Sequence, residues 1–197
     1  MTGTTWLVAT HNPGKLQEIQ ALLGNSVNLK GATSANVEAP EETATTFVEN
    51  ALAKARHGAL ATGLPTIADD SGLVVDALGG APGVRSARYA GDNASDADNI
   101  TQLLAAMVNV PKQQRVARFI CVIVALRSVD DPTPLIAEGV WQGRIAEQPR
   151  GQQGFGYDPV FEDPETGLTA AQLSSAAKNA RSHRGQALRV LQRYFKT

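Results

Sequence analysis

The run Trp6-Leu7-Val8-Ala9-Thr10-His11-Asn12-Pro13-Gly14-Lys15 reads as a strand that turns sharply into a helix. Trp6 to Ala9 is a short apolar stretch of the buried-strand type. Asn12 takes the N-cap position and Pro13 the first helical position, where its missing N–H and fixed φ suit a helix start. Apolar residues then recur at Leu16, Ile19, Leu22 and Leu23, and Gly24 marks the stop. A turn of this kind aims free backbone N–H groups and the positive end of the helix dipole at one point, which makes an anion site. Lys15 adds a full charge in the first turn, as lysine does for phosphate. The spacing is not the Walker pattern, and a surface lysine after an ordinary turn is the competing reading.

Outward from this run, strands and helices follow one another without repeat, low-complexity tract or clean break. Residues 27–29 read as a second strand. Thr46-Phe-Val-Glu49 is a capping box opening a helix that stops near Gly63. Thr66-Ile-Ala68 reads as a short strand ending at Asp69-Asp70-Ser71-Gly72, with apolar residues 73–78 and a glycine-rich loop, Gly79-Gly80-Ala81-Pro82-Gly83, behind it. Ser95 with Asp98 starts a helix carrying Ile100, Leu103, Leu104 and Met107 on one face. Residues 116–126 are almost continuously apolar, the pattern of a central strand covered on both faces. Residues 135–145 give one or two strands around Gly139 and Gly143. Helical segments near 170–173 and 175–180 precede a last helix with Leu188, Leu191, Tyr194 and Phe195. The expectation is an α/β fold with a central mixed β-sheet and flanking helices. It is an elongated, two-lobed unit with a cleft between the lobes, residues 1–197 forming a single domain.

The chain has 197 residues, 43% hydrophobic and 19% charged, an ordinary balance for a soluble globular protein. A net charge of −1 argues against a dedicated nucleic-acid binder but leaves room for a small anion held by local cations. Cys121 is the only cysteine, so no intrachain disulfide forms and a reducing compartment is expected. It sits in a strand-like run and reads as a buried structural residue. The first residues lack a basic segment followed by a long apolar one, so no leader is expected. No run of about 18 apolar residues suggests a membrane span. A cytoplasmic protein follows.

Three groups of residues carry chemistry. Asp69 and Asp70 end their short strand exposed, and because neighbouring strand residues point to opposite faces, only one faces a given ligand. Mg2+ usually takes one or two protein carboxylates together with water and substrate phosphates, and Glu41 and Glu42 are further candidates. A polar turn is the plainer reading of Asp-Asp-Ser-Gly. In Gly154-Phe155-Gly156-Tyr157-Asp158-Pro159 the glycines allow close backbone approach. The rings there either stack on a planar base or plug the core. Ser182-His183-Arg184 opens the last helix after Lys178, and the guanidinium of Arg184 is a planar fork of donors suited to the O6 and N7 acceptors of a 6-keto purine. Solvated surface is the alternative for this pair.

These motifs stand in one order along nearly the whole chain. Thr10-His-Asn-Pro-Gly-Lys15, Glu41-Glu-Thr43, Phe47-Val-Glu-Asn50, Ala68-Asp-Asp-Ser-Gly72 and Gly79-Gly-Ala-Pro-Gly83 are followed by Ser86-Ala-Arg-Tyr-Ala-Gly91, Gly154-Phe-Gly-Tyr-Asp-Pro159 and Ser182-His-Arg184. In this the chain resembles the inosine triphosphate pyrophosphatase family, the Ham1/RdgB-like non-canonical purine nucleoside triphosphate pyrophosphatases. The resemblance implies a homodimer and Mg2+-dependent cleavage of dITP, ITP or XTP to monophosphate and pyrophosphate. It implies that Thr10, His11, Asn12, Pro13, Gly14 and Lys15 hold the triphosphate, and that Asp70 is the catalytic carboxylate. Glu41 with Asp70 would serve the metal, while Ser71 and Lys54 would touch the ribose-phosphate side. Phe155, Gly156, Tyr157, Asp158, Lys178, His183 and Arg184 would form the base pocket. Two positions depart from the family pattern: Arg85 stands where tyrosine is common, and Ser175-Ala-Ala lacks the acidic residues that usually precede Lys178.

The reaction this implies is in-line attack of an activated water on the α-phosphorus, with positioning and charge stabilisation as the protein's main contributions. A pyrophosphatase of the Maf type with another base preference, or a nucleotide-binding regulator that does not hydrolyse, are the rival readings.

Overall fold

The computed structural model describes residues 4–24 and 26–195; residues 1–3, where the stretch read as leaderless begins, lie outside it. Strand β1 (Thr5–Val8) leads into helix α1 (Pro13–Leu23), with Asn12 extended at the N-cap and Pro13 in the first turn. Asn12 Oδ1 accepts the Lys15 backbone N–H at 3.0 Å, satisfying one of the orphan donors of the helix start. Strand β2 (Asn28–Gly31) follows, then helix α2 (Phe47–Thr62), capped by Thr46, whose side chain accepts from the Glu49 N–H. Gly63 closes α2 at φ +67°, a left-handed conformation that favours glycine. Strand β3 (Thr66–Val75), helix α3 (Asp96–Ala106) and strands β4 (Val116–Leu126), β5 (Leu135–Ile145) and β6 (Phe161–Glu162) come next. Helices α4 (Ser175–Arg181) and α5 (His183–Phe195) end the chain.

The strands form one mixed sheet in the order β2-β1-β3-β4-β5-β6, with β1 parallel to β2 and β3, and β5 antiparallel to β6. The chain groups into two compact units. The first comprises Met1–Asp70, Cys121–Gly139 and Arg184–Thr197, and its core packs Trp6, Val8, Ile19, Ile67, Ile123 and Leu188. Cys121 is fully buried in that core, as its strand setting implied. The second comprises Ser71–Ile120 and Val140–His183, packed around Leu73, Leu103, Met107, Phe119, Trp141 and Phe161. Among the described residues no helix is long and apolar enough to cross a membrane.

One local reading of the sequence needs correction. Asp69 and Asp70 do not end a strand exposed: β3 runs straight through them, and they are only 2% and 4% exposed. Turn propensity is a local preference, and here buried cations give both carboxylates partners that keep the strand extended. Of the one or two strands expected over residues 135–145, the structure has one, β5, which runs unbroken through Gly143. A Cβ there would lie 2.4 Å from the Phe161 ring, so the bare Cα lets β6 pack close against an unbroken β5. The two-residue β6 left no readable periodicity.

Candidate active site

The first unit gathers the acidic and cationic residues around the turn between β1 and α1. Thr10 is buried, and its Oγ1 accepts the Asn12 N–H at 3.3 Å. His11 donates from Nε2 to the Val37 carbonyl at 2.8 Å, pinning the turn, while residues 11–13 stay exposed with the helix start. Lys15, next on this helix, sets its ammonium 3.1 Å from Asp69 Oδ2. The same oxygen accepts Arg184 Nη2 at 3.1 Å and Nε at 3.4 Å, and Arg184 Nη1 reaches Glu18 Oε2 at 2.5 Å.

On the other side of β3, as strand alternation requires, Asp70 meets different partners. Its Oδ1 lies 3.0 Å from Lys54 Nζ, and its Oδ2 accepts Asn50 Nδ2 at 3.2 Å. Lys54 also holds Glu42 Oε1 at 2.8 Å, so one ammonium bridges two carboxylates. Burial pushes the Asp70 carboxyl above the usual range, outweighing the opposing pull of Lys54 and Lys15. Lys54 is also shifted upward: burial opposes its charge, but Asp70, Asp69 and Glu42 together raise its pKa. Glu41 is exposed, and its neighbour Glu42 is the residue joined to Asp70 through Lys54.

These residues fit a hard divalent cation. Carboxylate oxygens are the donors Mg2+ prefers, and the Glu42–Asp70 pair already holds a cationic group between its oxygens. Among the described residues no group of three His, Cys, Asp or Glu side chains is placed to hold a metal by itself. Mg2+ usually takes one or two protein carboxylates, which a pair such as Asp70 and Glu42 can supply, and completes its coordination with water and substrate phosphates.

The second unit holds the remaining predicted residues. Asp158 is buried, and its Oδ2 accepts Lys178 Nζ at 2.6 Å and the Phe155 N–H at 3.0 Å. The Lys178 ammonium stands 4.7 Å above the centre of the half-buried Phe155 ring, a cation–π distance. Gly154 adopts φ +78°, and a Cβ there would meet Asp158 Oδ2 at 2.0 Å, so this position admits only glycine. The two aromatic rings of the loop divide the roles open to them. Tyr157 plugs the core, its hydroxyl donating to the Ser86 carbonyl at 2.8 Å, while Phe155 stays at the surface under Lys178. Burial raises the Tyr157 pKa, so the hydroxyl keeps its proton. His183 is buried against Phe119, the rings stacked at 4.7 Å. A separate cavity of about 170 Å3 lined by Lys112, Arg115, Arg144 and Arg150 contains none of the predicted residues.

Three partners escaped the residue-by-residue reading. Asn50 was legible only as part of a motif, and its contact with Asp70 needs the α2–β3 packing. Glu18 lies on the face of α1 that carries Lys15, three residues on, but nothing local points it at Arg184. Asp96 Oδ2 accepts the Gly156 N–H at 2.6 Å, although the sequence marks it only as a first-turn acidic residue. Replacing Lys178 with Met leaves Asp158 buried without its ammonium, at a cost of about 3–5 kcal/mol. The expected result is a lower Tm, and thermal melts check it.

The fold thus sets a strand-to-helix turn beside paired carboxylates on the adjacent parallel strand, an arrangement whose free backbone N–H groups and charges suit phosphate chemistry. The sequence as a whole names the family. The family model described as the Ham1 family matches residues 6–194, and the chain belongs to that family. It is 56% identical over 186 residues to a dITP/XTP pyrophosphatase of Yersinia pseudotuberculosis, covering 94% of each chain. Its identity to the dITP/XTP pyrophosphatase of Escherichia coli K12 is 53%, at the same coverage. Among solved structures, a HAM1 protein from Coxiella burnetii superposes with a TM-score of 0.90 at 49% identity, with 98% of both chains covered. The Staphylococcus aureus Ham1 protein gives 0.85 at 39% identity, also covering 98% of both chains.

Proposed function

We propose that this chain hydrolyses non-canonical purine nucleoside triphosphates, dITP, ITP and XTP or dXTP, to the monophosphate and pyrophosphate, with Mg2+ as cofactor. The observation that carries the reading is the joining of Lys15 to Asp69, and of Lys54 to Asp70, across two neighbouring residues of one strand. This clustering of two ammonium groups and two carboxylates supports the reading of Lys15 as a phosphate-binding cation and of Asp70 as the catalytic carboxylate. The relatives named dITP/XTP pyrophosphatases support the substrate class.

In this reading the N–H groups of the turn at residues 10–15 and the Lys15 ammonium bind the triphosphate and stabilise the leaving pyrophosphate. Asp70 orients the attacking water and takes its proton, and the upward shift that burial gives its carboxyl makes it a stronger base. Asn50 and Lys54 hold the Asp70 carboxylate in place, and Ser71 and Lys54 approach the ribose-phosphate side. Asp70 with Glu41 or Glu42 would hold Mg2+, which when bound would neutralise phosphate charge. Phe155, Gly156, Tyr157, Asp158, Lys178, His183 and Arg184 serve the base. Adenine offers an amino donor where hypoxanthine and xanthine offer a carbonyl. A donor left unpaired in a buried site costs about 1–3 kcal/mol.

The chain acts as one domain over residues 1–197 and as a homodimer. It works in the cytoplasm, in keeping with a single buried cysteine. The test is a panel of dITP, XTP, dGTP, dATP and modified pyrimidine triphosphates assayed for pyrophosphate, with Mg2+ and with chelator. Expected are fast release from dITP and XTP, slow release from dATP and none under chelation. Equal rates for all purines, or a pyrimidine preference as in a Maf-type enzyme, would defeat the reading. So would saturable binding without pyrophosphate.

A further inference from the structure

The cavity of about 170 Å3 in the second unit is lined by residues that the proposed reaction does not use. Its walls come from the turn at Lys112–Gln114 before β4, from the end of β5 with the loop behind it, and from β6. Lys112, Arg115, Arg144 and Arg150 line it together with Glu147 and Glu162. Arg115 is the unusual member. It is 5% exposed, and four of its five N–H groups go to main-chain carbonyls. Nε donates to the Ile145 carbonyl at 2.9 Å and Nη2 to that of Ala146 at 3.1 Å. Nη1 donates to the carbonyls of Met107 at 2.8 Å and Val110 at 3.4 Å. The end of α3 adds partial negative charge through Met107. Among the described residues, however, no carboxylate pairs with this guanidinium, although buried charges are ordinarily paired. One Nη2 proton is left over. Arg150 has an ion pair with Glu162. Arg144, the register neighbour of Glu162 across β5 and β6, forms none among the described residues, and neither does Lys112. With Arg150 matched by Glu162, only Glu147 opposes the other three cations, and two positive charges are in excess.

We propose that this cavity binds a small oxyanion of the phosphate class carrying at least two negative charges, held by the remaining Nη2 proton of Arg115 together with Arg144 and Lys112. The excess of two positive charges matches such an anion, and guanidinium groups offer phosphate oxygens a planar fork of donors. The cavity volume lies below the roughly 300–1,000 Å3 of sites that take drug-sized ligands, so a whole nucleotide is not the occupant. Orthophosphate and pyrophosphate share the required chemistry, and the second is a product of the proposed reaction. None of the residues assigned to triphosphate, base or metal lines the cavity, so the site stands whether or not the pyrophosphatase reading holds.

The test is a titration of the 15N-labelled full chain with sodium pyrophosphate and, in a second arm, with sodium phosphate. Both are run in chelator and followed amide by amide. Saturable shifts are expected at residues 112–115 and 144–148, read apart from any at 10–15, and the arm with the lower midpoint identifies the ligand. Arg144→Gln and Lys112→Gln should each raise the midpoint at those amides about tenfold, the size of one charge-assisted contact. Glu147→Gln should lower it, because an opposing charge is gone. None of the three should move the midpoint at residues 10–15 or the initial rate of ITP turnover. All three replaced side chains are exposed, so the variants are expected to fold. A cluster that serves packing alone would leave every midpoint where it was. Shifts confined to residues 10–15, or midpoints at 112–115 and 144–148 that ignore all three substitutions, overturn the proposal. Saturable, charge-dependent shifts at the cavity in a chain that turns over no ITP would uphold the site and defeat the functional reading instead.

Discussion

Asp70→Asn is expected to lower pyrophosphate release about 10³-fold while ITP still binds, since an amide cannot take a proton from water and general-base removal costs losses of that order. The same variant should melt at or above the wild-type Tm at neutral pH. Burial holds the Asp70 pKa above its unfolded value. A group shifted that way stabilises the fold fully below the unfolded pKa and loses that contribution as pH rises through the folded one. At neutral pH the wild-type fold therefore carries an ionised carboxylate that it holds at a cost, and the neutral amide removes that cost. Lys54 keeps Glu42 as a partner in the variant, so no buried ammonium is orphaned. The gain in Tm should shrink as the pH falls toward the acid range, where wild-type Asp70 is itself protonated. Loss of turnover with a lowered Tm at neutral pH would mean that Asp70 acts as a scaffold residue.

Lys15→Ala is expected to reduce kcat/KM for ITP by about 10²–10³-fold, the usual cost of one preorganised contact to developing charge. The fold should survive, because Asp69 retains Arg184 when the lysine is gone. The defect should be equal for ITP and XTP, since the ammonium meets phosphate and not base. Rates measured across both substrates check this. A loss confined to one base would place Lys15 in base recognition.

How far these residues were legible in the sequence varies with the range of the interaction that places them. The turn from β1 to α1 was readable because Asn12 and Pro13 act within their own first helical turn. The capped start of α3 at Ser95 and Asp98 was readable for the same reason. Asp69 and Asp70 were legible as chemistry but not as structure. Their turn-forming character is local, whereas the lysines and arginine that keep β3 straight come from α1, α2 and α5. Arg184 shows the same limit. Its contacts with Asp69 and Glu18 come from residues far away in sequence, on β3 and α1, and nothing near Arg184 announces them. The loop at residues 154–159 gave its glycines plainly, yet which ring would face outward depended on Ser86, far away in sequence.

The central claim is that water attacks the α-phosphorus in a site built from Lys15 and Asp70. Turnover of dITP in 18O-labelled water, with the products separated and weighed by mass spectrometry, tests it most directly. The expected result is one heavy oxygen in the monophosphate and none in the pyrophosphate. Label in the pyrophosphate, or release of orthophosphate as the first product, would contradict it.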